Sequence, residues 1–270
     1  MRDERPKIHH LHKEETAQPD DVDAGASVRR RGIYLAPNLI TTMALFAGFF
    51  AIVAAVNNNF VGAALAIFAA MFADTLDGRV ARWTKTESEF GAQYDSLSDM
   101  VAFGVAPAFV AFFWGLSTLG QIGWVASFVY MACAALRLAR FNTVHDNSFF
   151  QGLASPSAAA IIASGVWLWD TWDIGDPSPI AVGFGAAITI LTGVLMVTNF
   201  SYYSPKLLNI RERVPFLALV AVVLGIAVIL VEPPLVLLLL FVAYAMSGPL
   251  KYAYGRMKGW NQEALDSSND

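Results

Sequence analysis

The chain has 270 residues, 56% of them hydrophobic and only 15% charged, with a formal net charge of −4. Several apolar stretches reach the roughly 20 residues that cross a bilayer, which excludes a soluble domain and defines an all-α, polytopic membrane helix bundle. The single cysteine, Cys133, excludes an internal disulfide, and no nucleic-acid partner is expected.

Residues 1–28 are polar, mixed in charge and poor in aliphatics, as expected of a disordered cytoplasmic tail. His9, His10 and His12 lie near Glu14 and Glu15, but nothing in such a tail would hold them rigidly around a metal. Arg29, Arg30 and Arg31 follow as an anchor on anionic headgroups. Eight apolar spans then follow, at about 34–56, 60–82, 95–115, 119–140, 155–170, 179–199, 214–231 and 234–254. The last two are joined by "VEPP", whose prolines enforce a tight turn. Residues 259–270 form a second tail.

The charges test this count. All 18 Lys and Arg fall at 2–31, 79–85, 137–140, 206–213 and 251–258. The alternate loops, "NNN" at 57–59, "GLSTLGQIG", "DTWDIGDPSP" and "VEPP", hold none. This positive-inside alternation predicts eight crossings with both termini in the cytoplasm. Trp114, Trp124, Trp167, Trp169 and Trp172 gather near the non-basic ends, as an interfacial belt does.

The stretch "DTLDGRVARWTKTESEFGAQYDSLSD", residues 74–99, is where the pattern carries chemistry. A carboxylate at the end of a membrane helix is costly unless something pairs with it. Asp74 and Asp77 are three residues apart and share a helix face, about 4.5 Å apart along the axis. Asp95 and Asp99 share a face of the next helix. A polar connection over about 83–92, containing Gly91, makes the two helices antiparallel neighbours, so the four acids are expected to converge at the cytoplasmic side. Four carboxylates without cations would repel. Hard oxygen ligands suit Mg²⁺ or Mn²⁺, and four acids suit two ions clamping the attacking and leaving oxygens of a phosphoryl transfer. Gly78 and Ala81 leave room for a ligand at the helix backbone, and Arg82 offers a planar fork for phosphate. Helix caps and boundary charges account for these residues singly, but not for their spacing.

The eight positions Asp74, Asp77, Gly78, Ala81, Arg82, Gly91, Asp95 and Asp99, with their gaps, resemble the signature of the CDP-alcohol phosphotransferase family. Three further segments resemble the branch of that family that uses serine as acceptor: "APNLITTMALFAGFFAI", "RLARFN" at 137–142 and "FFQGLASPSAAA" at 149–160. Ala154 departs from the proline expected in "GLASP".

The resemblance implies roles for particular residues. Asp74, Asp77 and Asp95 would hold metal, and Asp99 would act as general base while also touching the second metal. Gly78, Ala81, Arg82 and Gly91 would bind the CDP moiety, and Asn38 and Thr41, one turn apart, would reach the nucleotide or diphosphate. It also implies a six-helix core, often homodimeric, here residues 29–213, with 214–258 as an added helix pair. The implied reaction joins CDP-diacylglycerol and L-serine at a cytoplasm-facing site of the cell membrane. Arg137 and Arg140, three residues apart, would meet the serine carboxylate, with "SPS" at 155–157 adding hydroxyls. Glycerol phosphate or inositol phosphate acceptors would want a larger basic cluster. A divalent-cation transporter would show inverted repeats and midplane ligands, and neither is visible.

Overall fold

The computed structural model describes residues 22–143, 152–200, 202 and 216–266. Among these there is no strand. The helices are α1 (Val22–Val56), α2 (Phe60–Thr84), α3 (Glu89–Asp99), α4 (Ala106–Trp114), α5 (Gln121–Thr143), α6 (Ser155–Thr171), α7 (Pro179–Val197), α8 (Phe216–Val231) and α9 (Pro233–Asp266). A π-helical segment, Met100–Val105, joins α3 to α4 without a break.

Helix forms at all eight expected positions, with different ends. Residues 22–28 belong to α1 rather than to a disordered tail, and α9 runs on to Asp266 through most of the expected second tail. The histidines at 9–12 lie outside the described residues, as do the basic residues of the 206–213 segment. Six segments are long and apolar enough to cross a membrane: Ala36–Val56, Phe60–Thr84, Glu89–Trp114, Gln121–Thr143, Pro179–Val197 and Pro233–Tyr254. The chain is a multi-pass membrane protein. With 17 residues, α6 extends only about 26 Å, short of the roughly 30 Å hydrocarbon layer.

The short α6 sits at the centre. Ala158, Ile161 and Ile162 pack with Tyr130, Val182, Met196 and Ala245 of α5, α7 and α9. Ala159, Ala163 and Val166 face the other way, against an alanine-rich cluster of α1, α2 and α4 around Ile67, Phe103 and Val110. Lipid tails are as apolar as leucine, so helices in a membrane gain most from close approach of small residues. Gly48 and Gly193 permit that approach. A Cβ at Gly48 would stand 2.7 Å from Ala102 Cα, and one at Gly193 would stand 2.9 Å from Tyr130 Cα. Large apolar side chains such as Phe46, Phe72, Phe128 and Phe184 are exposed, as a lipid-facing surface requires.

Several hydroxyls inside this bundle are satisfied by backbone carbonyls. Ser127, Thr189 and Thr192 donate to carbonyls one turn back. The Tyr130 hydroxyl donates to the Phe103 carbonyl of the π segment at 3.0 Å. At the non-basic ends, Trp169 Nε1 donates to Gly175 O and Trp172 Nε1 to Glu232 Oε1, each at 2.8 Å.

The α2–α3 turn is tighter than expected, spanning 85–88 rather than 83–92. Lys85 adopts the left-handed conformation (φ 54°, ψ 41°) and its N–H returns to Ala81 and Arg82 carbonyls, ending α2 as a C-cap. Ser88 then starts α3, its Oγ accepting from the Gly91 amide at 3.0 Å. Gly91 therefore lies in the first turn of α3, and Asp95 lies mid-helix, excluded from any capping role.

Candidate active site

The tight turn sets α2 and α3 antiparallel with their acidic faces together. One carboxylate oxygen from each of Asp74, Asp95 and Asp99 lies within 4.8 Å of the others. All three are half-buried, and Asp74 and Asp99 are within hydrogen-bonding reach of each other. Asp77 departs from the expected four-fold convergence. It lies beside the trio, close enough for its charge to act on all three, but is only 4% exposed, and its Oδ2 accepts from Thr41 Oγ1 at 2.7 Å. Three hard carboxylate oxygens converging on one point fit a divalent ion of the Mg²⁺ or Mn²⁺ kind, and Asp77 is the carboxylate available to extend the set.

The first helix closes the site from one side. A Cβ on Gly91 would stand 3.5 Å from Asn38 Oδ1, ordinary contact distance, so α1 and α3 meet at this point. Thr42 Oγ1 and Tyr94 Oη are 2.9 Å apart. Ser98, 1% exposed, donates to the Thr41 carbonyl at 3.1 Å. Thr41 was expected to reach a nucleotide. It is buried at 4% exposure with its hydroxyl on Asp77. Asn38 is half-buried at the rim.

On α2, Gly78 and Ala81 are half-buried and Arg82 is exposed. A Cβ at Gly78 would stand 3.4 Å from Arg82 Nη1, so the guanidinium folds back along the strip that the glycine leaves clear. The two α5 arginines part company. Arg137 Nη1 donates to Ser155 Oγ at the start of α6, at 3.0 Å, while its Nε is buried without a hydrogen-bond partner. Asp99, Tyr130 and Tyr244 are the ionisable groups that bear on it. Arg140 is exposed and its Nη1 donates to Asn199 Oδ1, just beyond α7, at 2.8 Å. Arg137 thus adjoins the acidic cluster through Asp99.

Ser98, Asn199 and Tyr244 were not singled out from the sequence. Ser98 has a visible signal, a hydroxyl next to Asp99 on a helix. Asn199 and Tyr244 carry none, because their approach to the arginines depends on how α7 and α9 pack.

The sequence model of the CDP-alcohol phosphatidyltransferase family matches residues 34–246. The chain belongs to that family. It is 34% identical over 231 residues to a CDP-diacylglycerol–serine O-phosphatidyltransferase of Helicobacter pylori strain J99, covering 84% of this chain and 94% of the relative. A protein of the same name from Methanocaldococcus jannaschii is 35% identical over 189 residues, covering 70% and 83%. One from Mycobacterium bovis is 30% identical over 247 residues, covering 88% and 85%. A fainter likeness, TM-score 0.46 at 17% identity, covers 64% of this chain and 87% of the Mycobacterium tuberculosis phosphatidylinositol phosphate synthase solved with CDP-DAG bound.

Proposed function

We propose that this protein transfers a phosphatidyl group from CDP-diacylglycerol to the hydroxyl of L-serine, giving phosphatidylserine and CMP. The observation that carries the reading is the convergence of Asp74, Asp95 and Asp99 within 4.8 Å beside a buried arginine with an unpartnered Nε. The names of the relatives supply the acceptor.

In this reaction the serine oxygen forms a bond to the phosphatidyl phosphorus. The bond from that phosphorus to the bridging oxygen of CMP breaks. Asp99 accepts the serine hydroxyl proton as attack begins. Asp74, Asp77, Asp95 and Asp99 would hold the divalent metal, Mg²⁺ or Mn²⁺ and two ions in this reading. Bound there, it would offset the diphosphate charge and stabilise departing CMP. Gly78, Ala81, Arg82, Gly91 and Asn38 line the side where the CDP moiety binds, with the Arg82 fork on phosphate. Arg137, held by Ser155, presents its free Nε edge to the serine carboxylate. Arg140 extends the basic rim.

The same reading places the acidic site at the cytoplasmic face, with eight crossings, both termini inside, a core of residues 29–213 and a homodimeric assembly. The alternation of basic loops supports that orientation. The test is direct: membranes containing the protein, given CDP-diacylglycerol, Mn²⁺ and labelled serine, should form a labelled lipid, and membranes carrying Asp99→Asn should not. Absence of labelled lipid with the unaltered protein would refute the assignment.

A further inference from the structure

Asp77 is only 4% exposed, and its carboxylate accepts from the Gly78 backbone on its own helix and from a residue 36 positions away. Thr41 Oγ1 stands 2.7 Å from Asp77 Oδ2 and 3.1 Å from the Pro37 carbonyl. A threonine inside a helix ordinarily gives its proton to the carbonyl one turn back. Here that carbonyl already faces the Thr41 amide in the regular helix pattern, so it does not depend on the hydroxyl. The shorter contact is also the charge-assisted one, which is the stronger kind. The proton therefore goes to Asp77. The other side of Thr41 is held too, because Ser98 Oγ donates to its carbonyl at 3.1 Å. Ser98 immediately precedes Asp99. Thr41 thus bridges the two acidic helices across α1, through its side chain to α2 and its carbonyl to α3.

We propose that Thr41 is a positioning residue for the metal centre, fixing the orientation of the Asp77 carboxylate beside the Asp74–Asp95–Asp99 cluster. This rests on the reading of those acids as metal ligands. Without the hydroxyl this buried carboxylate would lose its cross-helix partner and keep only the Gly78 backbone contact, and hydrogen bonds that orient ligands commonly change metal affinity by about 10- to 100-fold.

The test is Mn²⁺ binding to detergent-purified protein without substrate, following free Mn²⁺ by electron paramagnetic resonance. Thr41→Val removes the hydroxyl and keeps the shape. It should weaken Mn²⁺ binding about tenfold or more, while Thr41→Ser, which keeps the hydroxyl, stays within about threefold of the unaltered protein. Metal-free Thr41→Val should stay folded, with an unfolding temperature lowered by the lost hydrogen bond, while Thr41→Ser stays close to the unaltered protein. Thr41→Ala gives the same comparison if the valine variant does not fold. Unaltered affinity in Thr41→Val or Thr41→Ala overturns the proposal. Equal weakening in Thr41→Ser overturns it as well, because packing rather than the hydroxyl would then matter. Failure of the unaltered protein to bind Mn²⁺ overturns the metal reading itself, and this proposal with it.

Discussion

Arg137 of α5 and Ser155 of α6 meet through a 3.0 Å hydrogen bond from Nη1 to Oγ, which leaves the arginine's Nε buried and without a partner. A buried polar group left unpaired costs about 1–3 kcal/mol, and a carboxylate bound alongside would recover that cost. Lysine at this position has no Nε and no planar fork. Arg137→Lys should therefore raise the KM for serine at least about tenfold, equivalent to about 1.4 kcal/mol, with little change in the KM for CDP-diacylglycerol. Arg140→Lys, at an exposed site tied to Asn199, should change it less. Steady-state kinetics with each substrate varied in turn checks this. An unchanged serine KM in both variants would move the carboxylate site elsewhere, with Lys206, Arg211 and Arg213 the next basic residues to test.

Asp74→Asn should abolish turnover while the protein stays folded and membrane-inserted. Removing one negative charge from the cluster relieves like-charge repulsion, so the metal-free unfolding temperature should hold or rise. Asp77→Asn should also abolish turnover. Excess chelator should silence the unaltered protein reversibly. Thermal unfolding in detergent, together with CMP release before and after chelation, measures both effects. Near-normal turnover in chelator would contradict the metal role.

Asp99→Asn separates base from ligand. A group that acts in the chemical step is expected to lower kcat while ground-state binding of CDP-diacylglycerol in the presence of metal survives. Equilibrium binding of the nucleotide lipid, set beside single-turnover rates, reads the difference. Loss of nucleotide-lipid binding as complete as in Asp77→Asn would make Asp99 chiefly a ligand.

The turn before α6 gives two stability predictions of opposite sign. Ala154 has φ −62° and ψ 133°, angles proline adopts freely, and its amide makes no hydrogen bond among the described residues. Ala154→Pro should stabilise by about 0.4–1 kcal/mol. Gly152 has φ +83°, its amide donates to Phe200 O at 3.0 Å, and a Cβ there would run into the Met196 carbonyl. Gly152→Ala should cost more than about 1 kcal/mol. Because this turn sets Ser155, it should also raise the serine KM. Thermal unfolding of both variants checks the signs.

The membrane helices were legible because long apolar runs between basic and non-basic loops leave few alternatives. Their polar ends were not. Residues 89–94, "EFGAQY", have no net hydropathy to mark them, so the sequence placed the start of the third span at 95, although Ser88 caps a helix from 89. The π segment had no sequence signal either. In the site, motif spacing brought Asp74, Asp95 and Asp99 together on paper. It did not reveal that Asp77 turns toward Thr41, because that contact joins residues on different helices. The resemblance implies that Thr41 reaches the nucleotide or diphosphate; its burial and its 2.7 Å hydrogen bond to Asp77 were not legible from spacing.

The central claim is the acceptor. Purified protein should be given CDP-diacylglycerol and Mn²⁺ with serine, glycerol phosphate or inositol phosphate in separate reactions, following CMP release and the lipid formed. The account predicts CMP release with serine alone, in equal amount to phosphatidylserine. CMP release driven by a phosphorylated acceptor and not by serine would contradict it.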